Sequence, residues 1–102
     1  MNITLLYFPD CPHWQLADER LSALAAEEPD VTISHAVVDT DDAANAVGFR
    51  GSPTFHFGGI DPFGDPSTPV GLSCRLYPTP DGYAGSPTLD QLRDAVRTAR
   101  HA

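Results

Sequence analysis

Prolines interrupt this chain so often that only short elements fit between them. Ten occur in 102 residues. Each lacks the backbone donor that a helix interior or a central strand requires, and each fixes its own φ. Pro9 and Pro12 bracket a cysteine, Pro29 closes a helical pattern, and Pro53 stands just before a short β-type run. Pro62, Pro66 and Pro69 share the segment Gly58 to Gly71 with four glycines, so no periodic element can occupy it.

Ile3 to Phe8 is an apolar, partly β-branched and aromatic run ended by Pro9-Asp10, which reads as a strand buried on both faces. Pro12 suits a first helical position, and Trp14, Ala17, Leu21, Leu24 and Ala25 then recur at near-helical spacing. Val31 to Val38 alternates like a second strand. Asp41-Asp42 opens a short helix that runs through Val47 and stops at Gly48. Thr54 to Phe57 is a third strand and Leu72 to Tyr77 a fourth, with Leu72, Cys74 and Leu76 on one side. Thr88 and Gln91 form a capping-box start for a last helix, which places Leu89, Leu92, Val96 and Ala99 on one side. The order βαβ-α-ββα predicts one α/β domain over residues 1–102, with a four-stranded mixed sheet and flanking helices. The Gly58 to Gly71 segment is longer than a hairpin needs. It reads either as a binding edge or as a tolerated surface insertion.

Fourteen acidic residues against six basic ones give a formal charge of -8, which argues against phosphate or nucleic-acid binding. Two cysteines, Cys11 and Cys74, are too few for a secreted disulfide scaffold. The N-terminal run has no basic flank and is too short for a signal peptide, and nothing approaches the roughly 18 apolar residues of a membrane span. The expectation is a cytoplasmic monomer with no membrane contact.

Pro9-Asp10-Cys11-Pro12-His13-Trp14 puts a thiol where the first strand gives way to the first helix. The positive end of a helix favours thiolate over thiol, and His13 can add charge beside it while Asp10 opposes it. An exposed, reactive Cys11 with a depressed pKa is therefore expected, although His13 also reads as a plain solvated histidine. His35 and His56 lie within strands and read as structural.

With this turn and with Gly51-Ser52-Pro53-Thr54 ahead of the third strand, the chain resembles the thioredoxin-like superfamily, as an atypical small member with Cys-Pro-His-Trp in place of Cys-x-x-Cys. The resemblance implies a cis Pro53 facing Cys11, and a Ser52 whose backbone is offered to a bound thiol or peptide. It implies thiol-disulfide oxidoreductase chemistry with Cys11 as nucleophile and His13 beside it. The substrate groove would be shaped by Pro12, Trp14, Ser52, Pro53 and Thr54. Trp14 shares its helical stripe with Ala17, Leu21 and Leu24, so core packing is its alternative role.

Trp14 stands where a second thiol would normally resolve a mixed disulfide. Cys74 is the candidate resolving residue. A thioredoxin-like sheet order would set it two strands away and some three residues down, each about 10 Å, whereas a disulfide needs Cα atoms within about 7 Å. A buried core thiol is the plainer reading of Cys74. Cys11 would then act alone, with a low-molecular-weight thiol as co-substrate and a protein or small-molecule disulfide as partner. The alternative class is a non-catalytic protein-binding module. Asp61-Pro62-Phe63 and Ser73-Cys74-Arg75-Leu76-Tyr77 also look like a small group associated with alkylmercury lyases, so organomercurial or metal-thiol handling is a further alternative using Cys11, Cys74 and Asp10. No resident metal is expected, since Cys11 and His13 offer only two zinc ligands.

Overall fold

The structure, a computed structural model, describes residues 1–65 and 67–101. Its centre is β1 (Asn2–Tyr7), which runs parallel to β2 (Thr32–Val37) on one side and antiparallel to β3 (Thr54–Phe57) on the other. Alternation along β1 sends Ile3 and Leu5 to one face and Leu6 to the other. Ile3 and Leu5 join Leu21 and Leu24 of α1 (Trp14–Glu27), Phe55 and Phe57 of β3, and Leu92 and Val96 of α3 (Leu89–Arg100). Leu6 meets Val38, Phe49 and Ala44 of α2 (Asp41–Val47). The sheet is thus covered by α1 and α3 on one face and by α2 on the other. No helix among the described residues is long and apolar enough to cross a membrane.

Local signals place two helix starts and one stop where the sequence indicated. Thr40 caps α2 by accepting from the Ala43 N–H, and Gly48 ends it in the left-handed region at φ 67°. Thr88 and Gln91 satisfy each other's backbone donors in a capping box. The start of α1 differs. His13 is its N-cap and gives no side-chain cap, so Pro12 lies before the cap rather than inside the helix.

Among the described residues the four-stranded sheet expected from the sequence is not formed. The main sheet has three strands in the order β2-β1-β3, and β4 (Tyr77–Thr79) pairs only with β5 (Gly82–Ala84) in a separate two-stranded ladder. Between Leu72 and Leu76 the chain makes one isolated parallel bridge, Cys74 to Ser52. Pro78 and Pro80 limit any longer ladder by removing backbone donors.

The face of this segment is also opposite to expectation. Leu72, Cys74 and Leu76 are exposed, while Arg75 and Tyr77 point inward. Tyr77 explains half of the inversion, for its ring fills the core beside Phe55 and Phe63, and its hydroxyl donates to the Pro53 carbonyl. Arg75 explains the other half. Its guanidinium, on a residue only 7% exposed, meets the Asp61 carboxylate at 2.6 Å, the Phe63 carbonyl at 2.5 Å and the Thr54 hydroxyl at 3.3 Å. It also lies 4.6 Å from the centre of the Tyr77 ring. Every side of the buried charge is therefore answered.

Removing one partner of a buried ion pair strands the other, at a cost of about 3 kcal/mol or more. Asp61→Ala should lower stability by that amount in urea unfolding, and Arg75→Met in the same background should recover most of the loss. A loss below about 1 kcal/mol for Asp61→Ala would contradict this account of the inverted segment.

Candidate functional site

The turn after β1 is closed by the Cys11 N–H, which donates to the Phe8 carbonyl at 3.0 Å. Cys11 is only 2% exposed, so it is buried rather than displayed. Its surroundings are nonetheless polar. Its thiol donates to the Ser52 carbonyl at 3.4 Å, and the peptide bond from Ser52 to Pro53 is cis.

Three segments cross at Ser52. Its hydroxyl accepts from the Phe8 N–H at 3.4 Å. Its own N–H donates to the Ser73 carbonyl at 2.7 Å, and its carbonyl accepts from the Arg75 N–H at 3.0 Å as well as from Cys11. The expectation that Ser52 offers its backbone to a substrate is thereby overturned, because residues of the same chain have taken both groups. Gly51 makes the crossing close enough. It sits at φ 112°, and a Cβ there would stand 3.0 Å from the Arg75 Cβ and 3.1 Å from the Ser73 carbonyl oxygen. Thr54 braces the turn from within by donating to the Gly51 carbonyl at 2.6 Å.

The crossing carries Cys74 to Cys11. Both are free thiols held on Ser52, and the Cys74 thiol is raised above its ordinary value first by partial burial and then by its nearness to Cys11. The long separation inferred from a thioredoxin-like sheet order is therefore wrong. So is the reading of Cys74 as a core thiol, since Cys74 is exposed and Cys11 is the buried one. The physical reason is the isolated bridge. It docks Cys74 beside Ser52, at the same end of the sheet as Cys11, instead of paying it into a fourth strand lower down.

Other expected site residues fall elsewhere. His13 is half-buried with its ring against Gly85, where an added Cβ would come within 2.3 Å of it, and no hydrogen bond joins it to Cys11 among the described residues. Trp14 stacks on Tyr7 at 4.3 Å between ring centres and packs on the core, which is its structural alternative. Pro12 is exposed, and Pro53 and Thr54 are buried under the crossing. His35 meets Asp18 at 2.6 Å on the surface, away from either cysteine.

Cys74 forms part of the wall of a cavity of about 410 Å³, together with Arg50, Thr68, Arg75, Leu76 and Tyr83. Cys11 is not among the lining residues. Sequence reasoning missed Arg75, Asp61 and Tyr77 as the groups that hold Cys74 in place. The one signal available was the alternation of Arg75 and Tyr77 opposite Leu72, Cys74 and Leu76, which hydropathy alone resolves the wrong way. No protein-family model matches this chain, and no curated protein or solved structure matches it either.

Proposed function

We propose that Cys11 and Cys74 act as one thiol-disulfide pair, and that the protein exchanges disulfides with a thiol-bearing partner that it meets through Cys74. The docking of both cysteines on one residue carries this reading, for the Cys11 thiol donates to the Ser52 carbonyl and Cys74 is bridged to the same Ser52. Their unequal exposure supports sequential attack over joint binding of a soft ion, since one sulfur faces solvent while the other is held back against Ser52.

In the reducing direction, the Cys74 thiolate attacks one sulfur of a substrate disulfide, and that bond breaks to release the first substrate thiolate. Cys11, its proton given to solvent, then attacks the Cys74 sulfur and displaces the second substrate thiolate. Two electrons pass from the protein sulfurs to the substrate sulfurs. The two protons lost by the cysteines are matched by the two that the released thiolates take up. The reverse sequence oxidises two substrate thiols at the expense of the protein disulfide. A resolving thiol already beside Cys74 removes the need for a small-thiol co-substrate.

Mild oxidation with a small-molecule disulfide should yield an intramolecular Cys11–Cys74 bond in mass-spectrometric peptide mapping. That bond closes a loop of about sixty residues, so the oxidised protein should be up to roughly 4 kcal/mol more stable than the reduced one. Stable adducts on Cys74 with no internal bond would sink the two-thiol reading.

The pair also predicts a pH effect. Because the Cys11 sulfur opposes ionisation of Cys74, Cys11→Ser should move the pH midpoint for Cys74 alkylation downward, while burial keeps it above that of a free cysteine. At a fixed pH below the midpoint, Cys74 should then react faster in the variant than in the native protein. An unchanged profile, followed by peptide mapping of the alkylated residue, would show that the sulfurs do not communicate.

A further inference from the structure

Resting on the exchange reading above, we infer that Cys74 engages a cysteine within an extended polypeptide segment, which docks by backbone pairing along the outer edge of Ser73–Leu76. Backbone groups of an extended segment alternate between its two edges. The Ser73 carbonyl and the Arg75 N–H both face Ser52. The N–H and carbonyl of Cys74 therefore face the opposite edge, and among the described residues neither has a hydrogen-bond partner. One exposed residue thus presents a donor, an acceptor and a thiol together.

That combination selects its occupant. A strand laid antiparallel along this edge would answer both backbone groups through the single residue opposite Cys74, with Cα atoms about 5.5 Å apart. Disulfides form across Cα separations of about 4.4–6.8 Å, so a cysteine at that position lies within bridging range once the docked strand shifts by about 1 Å to bring its Cβ to roughly 4.5 Å from that of Cys74. A side chain two residues along would fall over Leu76, and one on the other side would meet the Gly71–Ser73 turn that carries Leu72, which favours apolar neighbours. Leu76 is 63% exposed and Tyr83, on the wall of the same cavity, is 77% exposed. A free small thiol supplies the sulfur alone and covers none of this surface. Pairing at Ser52 is closed to the substrate, because Ser73 and Arg75 already occupy it.

The test uses an acetylated, amidated pentapeptide with a central cysteine and leucine at each end, and the same peptide N-methylated at the cysteine. Methylation removes the one donor that Cys74's carbonyl would accept. Reduction of the oxidised protein by each peptide is followed by stopped flow and normalised to that peptide's rate with oxidised glutathione. The unmethylated peptide should react at least about tenfold faster, the scale of one hydrogen bond of roughly 1.4 kcal/mol. Equal normalised rates would overturn the inference and leave the exchange reading standing. A second measurement does not depend on the internal disulfide. In Cys11→Ser, each peptide is joined to Cys74 through an activated disulfide, and amide hydrogen exchange at Cys74 is measured. Slowing by tenfold or more with the unmethylated peptide, relative to the same protein joined to glutathione, supports docking, and exchange no slower than in the glutathione adduct overturns it. If docking is seen while the native protein forms no Cys11–Cys74 bond, the exchange reading is what fails.

Discussion

A buried guanidinium organises the functional end of this protein. Arg75 can leave water only where its charge and its donors are answered together, and Asp61, the Phe63 carbonyl, Thr54 and the Tyr77 ring answer them. Once Arg75 points inward, its neighbours in an extended segment must point outward. Cys74 is thereby brought to the surface, and the loop that supplies Asp61 and Phe63 is tied down as part of the same cluster. Asp61 and Phe63 are in this sense a structural brace as much as part of a connection.

The second constraint is the traffic at Ser52. One residue receives the Cys11 thiol, the Phe8 N–H and both hydrogen bonds of the Ser73–Arg75 segment. Backbone bonds of this kind tolerate little displacement, so the relative placement of Cys11 and Cys74 is set by the main chain rather than by adaptable side chains. Gly51 is what lets the segments approach, since any Cβ at that position would meet Arg75 and Ser73.

The resulting pair is asymmetric. Cys11 is enclosed and hydrogen-bonded to a carbonyl, whereas Cys74 is exposed on the wall of a cavity and its ionisation is opposed by its neighbour. In the proposed exchange, such a division would give one sulfur to the partner and reserve the other for resolution. The sequence motif around Cys11 hides this difference in exposure, because a cysteine between two prolines at a strand-helix junction looks like the exposed one.

Sequence alone determined the local elements: the apolar β1, the start of α2 at Asp41, the Thr88 cap, the Gly48 stop and the cysteine-bearing turn. These depend on residues close in the chain, through periodicity, side-chain capping and glycine's access to positive φ. Tertiary structure decided the rest, including the three-stranded sheet, the outward face of Cys74 and its meeting with Cys11. Hydropathy assigns Leu72 and Leu76 to the interior because it scores each side chain against water in isolation. Arg75 displaces them only because Asp61 lies ready to neutralise it in space, and a pairing of that kind leaves no periodic trace along the chain.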